Sequence, residues 1–178
     1  MKTEIDVWAY ATEIFTALKK GLLITTKADG RVNSMTISWG MLGVEWESPV
    51  FTTFVRQHRF THEQLEKNPE FTVSIPHGIP ANKILGYCGT RSGHDVDKIA
   101  ELGLDLEEPL ATSVPGIRQL PLTLECQVVY SQPQDASSLT PENLKSYYPS
   151  DVAGTFHGAN QDMHTAYYGQ IVAAYLIE

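Results

Sequence analysis

The stretch LLITTKADGRVNSMTIS, residues 22–38, sets two β-type runs around Ala28-Asp29-Gly30. Asp-Gly is a strong hairpin signal, because it accepts the positive φ angles that a tight turn between right-twisted strands requires. The pairing is therefore local and antiparallel, not part of a strand–helix–strand crossover. A third run, PVFTTFV at 49–55, follows the loop VEWES. Three strands joined by tight turns predict an antiparallel meander.

The elements around this meander are mostly short. Before it, Val7, Ala11, Ile14, Phe15 and Leu18 fall on one helical stripe, with two lysines near its end and Gly21 as the cap. After it, Thr61 followed by Gln64 has the pattern of a capping box opening the helix HEQLEKNP. FTVSIP reads as a strand, ANKILGYCG as a helix, and SGHDVDKIAELGL as a second short helix with Ser92 or Asp95 near its start. PLTLECQVVYSQ and YYGQIVAAYLI read as strands. Between them, residues 131–163 are polar and rich in Pro, Ser, Asn and Gly, which predicts a long loop with one helical turn at PENLKSYY. About six strands with a few short helices predict a mainly β chain, built as a closed or split antiparallel barrel. No linker or internal repeat divides residues 1–178, so one domain is expected. At this length folding buries roughly 70% of the unfolded surface, and no disulfide or metal staple is needed.

The net charge of −8 argues against nucleic acid as a partner, since phosphate-dominated binding needs a basic face. Any basic site here is local. Cys88 and Cys126 form no CxxC pair and read as thiols in a reducing compartment. The N-terminal MKTEIDVWAYATEIFTAL has no apolar core of the kind a signal peptide carries, and no window reaches the ~20 apolar residues of a membrane span. A cytoplasmic protein with no membrane partner is expected.

Three stretches carry chemistry. Arg56-Gln57-His58-Arg59-Phe60-Thr61 leaves a strand and enters a helix, so two guanidiniums, a hydroxyl and free helix N–H groups converge as they would on a phosphate. The same spacing also suits surface arginines paired with Glu63, Glu66 or Glu70. On the strand 33–39, Asn33, Met35, Ile37 and Trp39 point one way and Ser34, Thr36 and Ser38 the other. A row of hydroxyls is either a solvent-facing edge or a seat for a polar ligand. In CGTRSGHDVDK at 88–98, Gly89 and Gly93 let a ligand approach the backbone, and Lys98 follows in the next helix. This is neither of the usual glycine-rich nucleotide motifs. His58 and His62 straddle a helix boundary and Glu63 is out of register for HExxH, so no metal site is expected.

Together these stretches resemble the flavin reductase-like, FMN-binding split-barrel family, and within it the flavoredoxin type. NSMTISWG at 33–40, SPVFTTFVRQHRFTHE at 48–63, CGTRSGHDVDK at 88–98 and HTAYYGQ at 164–170 carry the likeness in order, over about residues 15–130 and 163–177. The resemblance implies an antiparallel split barrel of Greek-key type with a few short peripheral helices. It implies that Asn33, Ser34, Met35, Thr36, Ser38 and Trp39 meet the ring and ribityl chain of FMN, and that Arg56, His58, Arg59 and Thr61 hold its phosphate. It also implies that Gly89, Ser92, Gly93 and Lys98 close over the flavin, with His164 and Tyr167 approaching from the last strand. The implied function is an oxidoreductase that passes electrons from NAD(P)H or another donor through FMN to a flavin, iron or protein acceptor. The alternative is a non-catalytic electron carrier without a hydride donor of its own. In either case the flavin carries the chemistry and no catalytic side chain is expected. The family's site usually lies at a homodimer interface. Residues 131–163 do not align with the family pattern and are expected as a surface loop or partial lid.

Overall fold

The structure is a computed structural model that describes residues 1–155 and 158–178; Phe156 and His157, within the expected 131–163 loop, lie outside the described residues. A short strand β1 (Lys2–Glu4) and a 3-10 turn at Val7–Tyr10 lead into α1 (Ala11–Leu18). Gly21 ends this segment with φ of 111°, a backbone region that favours glycine, and a Cβ there would stand 3.0 Å from Thr36 Cγ2. The expected hairpin follows as β2 (Leu22–Ala28) and β3 (Arg31–Ile37), paired in register across Asp29-Gly30.

The meander does not continue from there. Gly40–Glu45 is a further strand, β4, which pairs with β5 (Ser48–Arg56), so the third predicted run turns away from β3. Trp46 and Glu47 make the turn between them, both with positive φ, at 50° and 58°. No glycine or asparagine marks this turn, and β4 leaves Met41 and Val44 exposed, so neither turn chemistry nor alternation revealed it.

The remaining elements are α2 (Phe60–Lys67), β6 (Glu70–Ile75), α3 (Asn82–Thr90), α4 (Lys98–Leu102), β7 (Leu106–Glu107), β8 (Gly116–Ile117), β9 (Leu122–Pro133), α5 (Pro141–Tyr147) and β10 (His164–Ile177). The main sheet is ordered β3-β2-β6-β9-β10-β5-β4, with β1 added to β10 and with every pairing antiparallel. This is a mainly β split-barrel architecture with more strands than the sequence reading counted. β10 joins the halves: its first part pairs with β5, its last part with β1, and β9 runs along it throughout. The β9–β10 register shifts between Tyr168 and Gly169, and a bulge of this kind bends a strand. Gly169 is required at the bend, because a Cβ there would lie 2.8 Å from Cys126 Cβ and closer still to the Phe71 ring.

Two apolar clusters follow from strand alternation. Leu22 and Ile24 of β2 face the barrel interior with Met35, Phe51, Phe71 and Leu124, while Leu23 between them faces Leu85, Cys88 and Leu120 under α3. β2 is therefore buried on both faces.

Two helix starts differ from expectation. α2 begins one residue before Thr61, with Arg59 as N-cap and no side-chain cap bond. Thr61 Oγ1 instead accepts from Asn33 Nδ2 at 3.1 Å, and Gln64 is drawn to the sheet, accepting from Thr26 Oγ1 at 2.6 Å and donating to Arg31 O at 2.8 Å. These tertiary bonds outcompete the capping box. α4 starts at Lys98, capped by Asp97, whose carboxylate accepts from the N–H groups of Ile99 and Ala100; Ser92 and Asp95 belong to the loop before it.

Candidate functional site

β3 runs from the barrel toward Trp39, and β5 ends at Arg56 directly opposite His164 at the start of β10. Between them lies a cavity of about 260 Å³ lined by Met35, Thr36, Ile37, Ser38, Trp39, Phe54, Arg56, Arg59 and His164. Met35 and Arg59 also line a second, tight cavity of about 10 Å³, completed by Asn33, Phe60, Thr61, Arg91, Ser92, Gly93 and Lys98. The two adjoin through Met35 and Arg59 as a two-armed site, one arm aromatic and the other cationic.

The cationic arm has no Asp or Glu among its lining residues. Lys98 is 3% exposed, and the one hydrogen bond its ammonium donates among the described residues is long, 3.4 Å to Arg91 O. Burial lowers its pKa to about 8, against the pull of Cys88 and with the help of Arg59 and Arg31. Burial and the nearby Arg56 also lower the pKa of Arg59, with Asp162 opposing. Positive charge is thus held where it repels itself, an arrangement that an anion relieves. At Gly93 a Cβ would meet Asn33 Oδ1 at 2.5 Å and Phe60 Cδ1 at 2.6 Å, so only glycine lets the loop pack this close.

The aromatic arm is covered by Tyr147, Tyr148 and Asp162. Arg56 Nη2 donates to Tyr147 O at 2.8 Å and Nη1 to Asp162 O at 2.6 Å, and its guanidinium lies 5.2 Å from the Tyr148 ring centroid. Trp39 meets the Tyr147 ring edge-to-face at 5.3 Å and the His164 ring at 4.9 Å. The Tyr148 hydroxyl donates to Gln134 Oε1 at 2.7 Å and lies 2.8 Å from His164 Nδ1. With its proton given to Gln134, the phenol accepts from Nδ1–H, and His164 Nε2 carries the lone pair. Burial, then Arg56 and Arg59, lower the His164 pKa to about 3, so this imidazole is neutral at ordinary pH.

Twelve of the sixteen predicted residues line these arms: Asn33, Met35, Thr36, Ser38, Trp39, Arg56, Arg59, Thr61, Ser92, Gly93, Lys98 and His164. Four stand outside the lining. Ser34 is buried with its hydroxyl 2.8 Å from Thr25 Oγ1, and Gly89 backs onto Thr36. His58 pairs with Asp162 at 3.0 Å on a largely exposed ring. Tyr167 is 2% exposed and donates to Glu66 Oε1 at 2.7 Å. The hydroxyl row on β3 is not a solvent edge, since Thr36 Oγ1 also donates to Leu85 O on α3 at 2.6 Å. Sequence reasoning missed Phe54, Phe60, Arg91, Tyr147 and Tyr148. Arg91 lay inside a quoted motif, whereas Tyr147 and Tyr148 reach the site only through the fold of a segment with no periodic pattern.

A larger cleft of about 710 Å³ lies between α1 and residues 76–85. Its lining is mostly apolar, and no cation cluster converges there. The two-armed site is smaller but chemically organised.

Residues 19–178 match the model of the flavin reductase like domain. The chain belongs to this family. An uncharacterized protein of Archaeoglobus fulgidus is 31% identical over 97 residues, covering 54% of each chain. The chain spans about half the length of the curated relatives it matches. Among solved structures, flavoredoxin from Methanosarcina acetivorans superposes with a TM-score of 0.64 at 24% identity, covering 89% of this chain and 68% of the other. An FMN-binding domain of a flavin reductases-like enzyme from Shewanella baltica gives a TM-score of 0.66 at 15% identity, covering 99% and 77%. At these identities the likeness establishes the fold that this flavin reductase-like chain shares with them. No described helix is long and apolar enough to cross a membrane.

Proposed function

We propose that the chain binds FMN in the two-armed site and acts as a flavin-dependent oxidoreductase. It would pass electrons from NAD(P)H or another donor to a flavin, iron or protein acceptor. The observation that carries this reading is the buried Lys98 ammonium, beside Arg59 and Arg91 in a cavity without a carboxylate, directly joined to an aromatic-walled arm. A phosphate dianion supplies the charge that the cationic arm lacks, and bidentate guanidiniums and the Thr61 and Ser92 hydroxyls suit its oxygens. The aromatic arm offers a planar ring the indole of Trp39, the thioether of Met35 and the neutral imidazole of His164. Bound FMN supplies the hydride and electron chemistry, so the protein's part is to hold, orient and shield it. His164, fixed as a neutral group with its Nε2 lone pair, contributes an acceptor and no charge.

The reading extends to the assembly. Trp46, Tyr130 and Tyr168 cluster at centroid distances of 5.2 to 6.5 Å, and Trp46 and Tyr130 are exposed, as are Val44 and Val129 near them in sequence. An apolar patch of this kind suits a second copy of the chain, so a homodimer is the proposed state. The whole chain is taken as one domain, and its two free buried thiols suit the cytoplasm.

The test is anaerobic. Protein loaded with FMN is mixed with NADH or NADPH, and bleaching of the flavin band within seconds supports the reductase. A flavin that ignores both nucleotides yet is reduced by a ferredoxin supports the electron carrier instead. Protein that takes up no flavin contradicts both.

A further inference from the structure

The cleft of about 710 Å³ between α1 and residues 76–85 shares no lining residue with either arm of the flavin site. Its volume is that of a small-molecule site. It exists because of the pattern on α1 and the turn before it. Ile14 and Leu18 enter the core, whereas the stripe turned to the cleft includes Ala9, Thr12, Thr16 and Ala17, all too small to fill it. The opposite wall contains Pro76 and Pro80, which stiffen it. The cleft also backs onto the aromatic arm. Leu85 lines the cleft, and its carbonyl accepts from Oγ1 of Thr36, which lines the arm, at 2.6 Å.

Two charged residues line this space, Glu13 and Lys20, about 10 Å apart along the helix axis. Glu13 is engaged: its Oε1 lies 2.7 Å from Nδ1 of His77, which ties α1 to the opposite wall. The Lys20 ammonium has no hydrogen-bond or ion-pair partner among the described residues. Its end of the cleft is the one nearest the arm, since a Cβ on neighbouring Gly21 would stand 3.8 Å from Leu85 Cδ1. The lining is thus an apolar trough with one unengaged cation and no unengaged carboxylate.

We infer that this cleft is a second binding site, for a small molecule with an apolar body and a carboxylate, placed back to back with the aromatic arm. The body lies along Thr16, Ala17 and Pro80, and the carboxylate meets Lys20. Burial of the body supplies most of the affinity, and the exposed charge contact sets the preference of sign. An amine of the same shape is repelled by Lys20 and finds Glu13 already held by His77. The site goes beyond the proposed function and does not depend on bound flavin.

The experiment uses two probes that share a ring and carry opposite charge at neutral pH, 2-naphthoate and 2-naphthylmethylamine. Equilibrium dialysis measures their binding to the full chain with and without saturating FMN. Naphthoate is expected to bind about threefold tighter than the amine, whether or not FMN is present. On a chain of net charge −8 an unspecific preference would run the other way. Lys20→Glu is expected to reverse the preference by about the same factor. Thr16→Trp places a large side chain in the trough from an exposed position and is expected to weaken naphthoate by about tenfold, with the unfolding midpoint little changed. Naphthoate that FMN displaces lies in the flavin site and overturns the inference. Equal affinity for the two probes, a preference that Lys20→Glu leaves unchanged, or binding that Thr16→Trp leaves intact also overturns it, as does no binding of naphthoate at all. A chain that takes up naphthoate with these responses but no flavin supports the second site and contradicts the proposed function.

Discussion

The two arms of the site share Met35 and Arg59 but are held in different ways. The cationic arm is framed by tertiary bonds among neighbours: Asn33 to Thr61, Arg31 to Gly93 and His94 to Glu63. Its key charge, Lys98, sits one residue beyond the α4 cap and is almost fully buried. The aromatic arm takes its floor from β3 and β10, but its cover is the end of α5 and the chain at Asp162, fastened through Arg56 and Tyr148. Where direct tertiary bonds surround a buried lysine, positive charge can be stored; where the frame is a strap, the same arginine that faces the cavity also holds the cover. On the proposed function, the first arm would set affinity and the second access.

The largest expected effect lies in the first arm. Arg59→Ala is expected to weaken FMN binding by about 1.5–3 kcal/mol, the worth of a charge-assisted contact, with little change for riboflavin. An FMN dissociation constant equal to that of the unaltered chain removes Arg59 from the phosphate site.

Next in size is a pH effect confined to the same arm. Burial, reinforced by Arg59 and Arg31 and opposed by Cys88, leaves Lys98 with a pKa of about 8. A bound phosphate dianion favours the charged ammonium, so binding takes up a proton once the pH exceeds about 8. FMN affinity is then expected to fall by up to about tenfold per pH unit above that value, and Lys98→Met should abolish this slope. A slope that survives in Lys98→Met assigns the proton elsewhere.

The second arm gives smaller effects. Arg56→Gln loses the charged bonds to Tyr147 O and Asp162 O, so cleavage between residues 134 and 162 by a protease should quicken while FMN affinity changes less than in Arg59→Ala. If Arg56→Gln instead weakens FMN as strongly as Arg59→Ala does, the two arms are not divided in this way. Tyr148→Phe removes the hydroxyl between Gln134 and His164, and about 1 kcal/mol of stability is expected to go with it, measured by denaturant unfolding. His164 adds a pH signature of its own. Its folded pKa, about 3, lies below that of the unfolded chain, so the unfolded state binds more protons between about pH 6.5 and 3. Stability should therefore fall on acidification across that window, and less so in His164→Gln.

This division also explains what could be read in the sequence. The β2–β3 hairpin was legible because Asp29-Gly30 encodes its own turn, and Arg59, Thr61, Gly93 and Lys98 were legible as a set because they sit in short motifs. β4 was not, since Trp46 and Glu47 turn with positive φ without glycine, and its outward side chains find no core within the chain. The capping box at Thr61 misled because Asn33 and Arg31, distant in sequence, claim Thr61 and Gln64. The cover was invisible: nothing local to Tyr147 or Tyr148 says that Arg56 and His164 lie beneath them. Chemistry carried by a short motif announces itself, and contacts between elements distant in sequence do not.

The central claim is that a phosphate-bearing flavin ends at Lys98 and Arg59. It is tested most directly by titrating the flavin-free chain with FMN and riboflavin under one set of conditions, following fluorescence quenching. The two ligands share the ring and differ in the phosphate. FMN is expected to bind tighter by about tenfold or more, the return from at least one charge-assisted bond. Equal affinity for the two, or no binding of either, contradicts the account.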